Sequence, residues 1–235
     1  MKLAIMQPYL FPYIGYFQLI NAVDVFVVYD DVAFINRGWV NRNRILVNKT
    51  AHYFTVPLSG ASQNNLINET DIAAELYAQF RKKFFATLKT SYGRAPFFCE
   101  TVNLVEQVFS PAVAGITDLA RQGLEAVCAY LDITTRIVPT STIYANTQLK
   151  KADRLIDICR AESAEIYINA IGGLELYSTE DFKTRGIDLK FIKSKPFEYR
   201  QFGDEFVPWL SIIDVMMFNP KDKIIETIQN NYYLL

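Results

Sequence analysis

KLAIMQPYLFPYIGYFQLINAVDVFVVY, residues 2–29, decides the fold class. Lys2 to Met6 is a short apolar run stopped by Pro8, and Asp24 to Tyr29 (DVFVVY) is a β-branched and aromatic run, so both read as buried strands. Tyr13 to Ala22 between them reads as a helix. The unit is β-α-β, because parallel neighbouring strands need a crossover of this kind. The stretch from Leu3 to Val23 carries no charge, yet Gln7, Pro8, Pro12, Gly15, Gln18 and Asn21 interrupt it. It has no basic leader beyond Lys2 and no small-residue cleavage site, so neither a signal peptide nor a membrane span accounts for it. The expected compartment is the cytoplasm.

Outward from this unit, Arg42 to Asn48 and Tyr53 to Leu58 flank Lys49-Thr50-Ala51 as a hairpin. Ile72, Leu76, Phe80, Phe84 and Leu88 recur at every fourth position and predict a long amphipathic helix over 71–92. Helices follow over 98–109 and 116–131, then a strand at 135–138 closed by Pro139. Further on come a helix over 150–161, a strand over 165–170, a helix over 174–185 stopped by Gly186, and a strand over 187–192. Two helices, 211–218 and 221–230, end the chain. The expectation is one α/β domain over 1–235, a mostly parallel sheet with flanking helices and a mainly helical insert at about 70–132.

Composition narrows the function. Lys plus Arg number 24 against 25 Asp plus Glu, so no net field holds the chain on nucleic acid or an anionic membrane, and any anion site is local. Cys99, Cys128 and Cys159 form no CxxC, read as helical core, and accompany a single histidine, His52. That leaves no basis for a structural zinc, a disulfide framework or a cysteine nucleophile. Walker, Gly-x-Gly-x-x-Gly and Gly-x-Ser-x-Gly motifs are absent.

Four segments carry candidate chemistry. The first runs from Gln7 to Tyr16 past the end of the first strand, where open α/β sheets bind ligands. Gln7, Tyr9 and Tyr13 are its pocket candidates, and Phe11, Ile14 and Phe17 read as core. In the second, Asp30-Asp31 end a strand, and Arg37, Arg42 and Arg44 interleave with Asn36, Asn41 and Asn43. Guanidinium groups grip phosphate oxygens through paired N–H groups, so this is a candidate diphosphate clamp; a solvated strand edge has a similar pattern. Extended, Asn41 to Arg44 places Arg42 and Arg44 on one face and the two asparagines on the other. The third, Gly172-Gly173 between a strand and a helix, suits either a tight turn or an anion at a helix N-terminus. The fourth is Trp209 to Asn219: Ser211 caps a helix, and Asp214, one turn in, is either part of the cap or a desolvated general base.

MQPYLFPYIGYFQLI, INRGWVNRNRI, SYGRAPFF, YINAIGGLELY, LSIIDVMMFN and the terminal NNYYLL, in this order, resemble the WbqC-like family across essentially the whole chain. The resemblance implies a place in O-antigen or related lipopolysaccharide and surface polysaccharide biosynthesis. The implied reaction is transfer of an N-acyl or N-aminoacyl group to the amine of a dTDP-type nucleotide-linked amino sugar. The donor would be a thioester on an acyl-carrier protein or CoA, with no further cofactor. In that reaction Asp31 or Asp214 is the candidate base, Asn41 or Asn43 the oxyanion donor, and Arg42 with Arg44 the phosphate grip. A glycosyltransferase using the same arginines with Gly172-Gly173, and Asp30-Asp31 on a metal, is the alternative enzyme; a non-catalytic scaffold in a biosynthetic complex is the alternative without chemistry.

Overall fold

The computed structural model of the chain describes residues 1–203 and 205–235. The opening unit forms as the sequence predicts: β1 (Lys2–Met6), α1 (Ile14–Asn21) and β2 (Val25–Val28), with β1 and β2 parallel. β3 (Arg42–Val47) and β4 (Thr50–Thr55) make a separate antiparallel hairpin. α2 (Ala74–Tyr92), α3 (Phe98–Val108) and α4 (Ile116–Tyr130) supply the helical stretch before β5 (Arg136–Val138). Then come α5 (Lys151–Ala161), β6 (Ile166–Ala170), α6 (Thr179–Lys183), β7 (Asp188–Ser194), α7 (Ile212–Phe218), α8 (Lys221–Asn230) and β8 (Tyr232–Leu234).

The protein is α/β. Its main sheet has six strands in the order β5-β2-β1-β6-β7-β8, all parallel neighbours except the antiparallel β7–β8 edge. The chain winds outward from β1 to β2 and β5, then returns to β1's other side for β6 and β7. That reversal opens a crevice at the carboxyl ends of the central strands. Side chains alternate strictly: Leu3, Ile5, Val25, Val27, Tyr167, Leu189 and Phe191 pack on α5 and α6. Ala4, Phe26, Val28, Ile168 and Ile192 face the opposite layer, which contains α1, α4, α7 and α8. Both faces being covered explains why these strands read as continuous apolar runs.

Four expectations need correction. The hairpin turn lies at Asn48-Lys49, not at Lys49-Thr50-Ala51: Val47 pairs with Thr50, and the turn residues have φ of 51° and 64°. Two left-handed residues make the tight turn that matches strand twist, usually with glycine. α2 starts at Ala74, leaving Ile72 before it, and Leu76 is 53% exposed. A four-residue repeat drifts about 40° per step around a helix of 3.6 residues per turn, so one stripe cannot keep every fourth residue inside. The helix expected over 174–185 shrinks to α6, preceded by a 3-10 turn at Ile171–Gly173. Cys99 is exposed on α3, whereas Cys128 and Cys159 are buried, with burial pushing both thiols up to about 12.

Candidate functional site

A cleft of about 320 Å³ opens beside the carboxyl end of β1, lined by Tyr9, Pro12, Tyr13, Trp39, Asn43, Arg44 and Trp209. Three chain segments build it, and backbone bonds tie them together. Leu10 N–H donates to the Trp39 carbonyl at 3.0 Å, Ser211 N–H to the Arg44 carbonyl at 2.9 Å, and Ile212 N–H to the Pro12 carbonyl at 2.8 Å.

Two non-glycine residues at the cleft hold left-handed backbone, Phe11 with φ of 42° and Trp209 with φ of 60°. Each such residue costs roughly 1–2 kcal/mol. The carbonyl of Phe11 accepts from Asn43 Nδ2 at 2.8 Å and Ser211 Oγ at 2.6 Å, and that of Trp209 accepts from an Arg44 terminal nitrogen at 2.9 Å. These bonds offset the strain and fix the walls. Gly15 shapes the same wall, because a methyl there would collide with the Tyr13 ring and Ser194 Oγ, so only glycine lets Tyr13 fold down against the start of α1.

Arg44 is the cleft's charged group. Its guanidinium lies 5.7 Å from the Trp39 ring centroid while bonding Trp209's carbonyl, and its Nε is buried with no partner among the described residues. Tyr13 meets Trp209 edge-on with centroids 5.6 Å apart. Burial raises the Tyr9 and Tyr13 phenols above their ordinary range, with Ser194 opposing the rise at Tyr13, so both stay protonated at neutral pH. The arrangement offers flat apolar platforms around one cation with an uncommitted donor, which suits a ring bearing an anionic substituent.

The other candidates are placed differently. Gln7 is outside the lining, and its carbonyl accepts from the Tyr16 hydroxyl. Arg42 shares the face of Arg44, as alternation requires, but folds back to donate to the Gly38 carbonyl at 3.0 Å and to that of Arg37, stacking 4.5 Å over Tyr53. Asn43 Nδ2 donates to the carbonyls of Leu10 and Phe11, which uses both of its N–H bonds, and Asn41 Nδ2 donates one of its two to the Val56 carbonyl and is outside the cleft lining, so neither amide presents an oxyanion donor in the cleft. Ser211 caps α7 through the Ile213 N–H, as expected, and braces Phe11. Gly172 and Gly173 sit in the 3-10 turn; a Cβ on Gly173 would lie 2.7 Å from Asn169 Nδ2, so close packing explains that glycine. No α-helix begins there to receive an anion.

Neither proposed base reaches the cleft. Asp214 is fully buried in α7 and accepts from Tyr92 Oη at 2.7 Å, Tyr199 Oη at 2.6 Å and Gln201 Nε2 at 2.7 Å. Burial raises its carboxyl above the aspartate range and these three donors oppose the rise. Asp31 is ion-paired to buried Arg154 at 2.6 Å and accepts from Ser141 Oγ. Asp30 accepts from Thr140 Oγ1 and the Ser141 N–H, and burial raises it. Both acids are thus bolts between β2 and the segment after β5, and the acid pair that a metal-dependent glycosyltransferase would use is committed elsewhere. His52 is exposed on β4 against Thr50 Oγ1.

No motif in the sequence marks Trp39 and Trp209 as site residues, although they are the only two tryptophans in the chain and both line the cleft. Trp209 is 62% exposed and meets Tyr13 edge-on, so its indole adds apolar surface to the cleft wall.

Fold and cleft together define a doubly wound α/β protein with an aromatic site at the carboxyl ends of its parallel strands. The chain belongs to the WbqC-like protein family, which it matches over residues 7–226. A relative from Mycobacterium tuberculosis, described as "Uncharacterized protein Rv1507c", is 30% identical over 221 residues, covering 93% of each chain. No solved structure matches. Among the described residues, no helix is long and apolar enough to cross a membrane.

Proposed function

We propose that the aromatic cleft binds a nucleotide-linked amino sugar and that the protein directs N-acyl or N-aminoacyl transfer from a carrier-protein or CoA thioester to the sugar's amine, in surface polysaccharide biosynthesis. The observation that carries this reading is Arg44, held between Trp39 and Trp209 with its Nε buried and without a partner among the described residues. A phosphate oxygen accepting from that Nε would satisfy the orphaned donor while a ring lies on the indoles. The volume is at the small end of ligand pockets, roughly 300–1,000 Å³. It suits one moiety of such a substrate, with the remainder along the open side.

Among the described residues the lining contains no carboxylate, and the proposed chemistry works without one. A neutral amine attacks the thioester carbonyl, the C–N bond forms, the C–S bond breaks, and the amine proton ends on the departing thiol. The leaving group is already activated, so the contribution asked of the protein is orientation of amine and thioester, which alone lowers a bimolecular barrier substantially. The test is an assay with a dTDP-amino sugar and a set of acyl-CoA and acyl-carrier thioesters, following amide and free thiol together. Equal appearance of both, dependent on the protein and reduced in Arg44→Gln, supports the reading. Tight binding of the nucleotide sugar with no thiol release from any donor would leave the cleft assignment standing and remove the acyl transfer.

A further inference from the structure

A second concavity, of about 360 Å³, lies between the first turns of α2 and the loop at 111–114, and shares no lining residue with the aromatic cleft. Ala74, Tyr77, Ala78 and Arg81 form its helical wall. They follow the i, i+3, i+4, i+7 spacing of a single helix face, so Tyr77 and Arg81 are neighbours one turn apart. Ile72 and Val113 add apolar lining, and the exposed Asp71 also lines the concavity.

Tyr77 is 4% exposed, and its hydroxyl has no partner among the described residues. Arg81 Nε is also buried without a partner, and the guanidinium enters no salt bridge among the described residues. A buried donor left unsatisfied is costly, and two of them belong to residues that line the same concavity one helical turn apart. Burial pushes the Tyr77 phenol up to about 12, so it remains a donor through the neutral range. The group that completes both is an anionic oxygen. One cation among apolar walls matches a monoanion with a carbon body; a phosphate dianion would need more donors than this wall has.

We infer that this groove is a second ligand site, independent of the aromatic cleft, that binds a small organic carboxylate: the carboxylate oxygens accept from Tyr77 Oη and Arg81, and the carbon body lies on Ile72, Ala74, Ala78 and Val113. Butyrate and inorganic phosphate are the probes, titrated into the full chain and followed by backbone amide shifts in the wild type, Tyr77→Phe and Arg81→Gln. The expected result is saturable butyrate binding with shifts confined to residues 71–81 and 111–114, weakened about tenfold or more in each variant, the loss expected for a hydrogen bond to a charged group. Phosphate at equal concentration should not displace it. Tyr77→Phe removes one oxygen that has no partner among the described residues and keeps the ring, so it tests the site even if Arg81→Gln does not fold. No saturable butyrate shifts, unchanged affinity in Tyr77→Phe, or displacement by equimolar phosphate would overturn the assignment.

Discussion

Arg42 and Arg44 leave β3 on the same face, two residues apart, and do different work. Arg42 spends its donors on the Arg37–Gly38 turn; Arg44 lines the cleft, and its buried Nε has no partner among the described residues. Arg42→Ala should therefore lower stability by about 1 kcal/mol, from lost hydrogen bonds and stacking, while leaving nucleotide-sugar affinity within about twofold. Urea unfolding and calorimetry separate the two quantities, and a large affinity loss in folded Arg42→Ala would return it to the clamp. Asp214 allows a test through pH. Its folded carboxyl titrates above the unfolded one, so between the two values the folded chain binds more protons. Its contribution is full below about pH 4, the ordinary aspartate range, and is lost as pH rises toward the folded value. Melting temperatures from pH 4 to 7 should fall more steeply in the wild type than in Asp214→Asn; equal slopes would mean the carboxyl is not held up by burial. Of the sequence candidates, Tyr9, Tyr13 and Arg44 line the cleft, and their phenol and guanidinium chemistry is intrinsic to the residue and visible in the sequence. Asp214 and Asp31 are instead engaged by partners from far along the chain, Tyr92 and Arg154, which no local pattern in the sequence reveals.

Elements were readable in proportion to how much of their stability is local. β1, α1 and β2 announce themselves through apolar runs and Pro8, whereas β8 is three residues whose strand character comes from pairing with β7. The β3–β4 turn escaped because Asn48-Lys49 places a lysine where glycine is favoured. Lys49→Gly should stabilise the hairpin by about 1 kcal/mol, the low end of the left-handed penalty, less whatever packing its stem loses against Gly203. A raised urea midpoint is the expected readout, and a lowered one would show that the stem contact outweighs the backbone term. Gly15→Ala acts at the junction of loop and helix: Tyr13 must move, so ligand affinity should drop while far-UV dichroism stays native. Unchanged affinity would detach Tyr13 from the binding wall.

At the scale of the molecule, the winding order places every cleft segment at one end of the sheet, and buried polar bolts hold that end rigid. Arg154 ties α5 to Asp31 beyond β2. Arg154→Met would strand a buried carboxylate, costing roughly 3–5 kcal/mol, a large fraction of a typical 5–15 kcal/mol fold. Such a loss would mimic a catalytic defect at 37 °C, so activity in Asp31 or Arg154 variants is interpretable only alongside their folded fraction. The central claim, that the cleft between the two tryptophans binds a nucleotide sugar through Arg44, is tested most directly by calorimetric titration of a dTDP-amino sugar into the wild type and Arg44→Gln. The predicted result is saturable binding to the wild type, weakened in Arg44→Gln by about tenfold or more, with both proteins melting as folded species. Equal affinity in the two folded proteins, or no binding to the wild type, would contradict it.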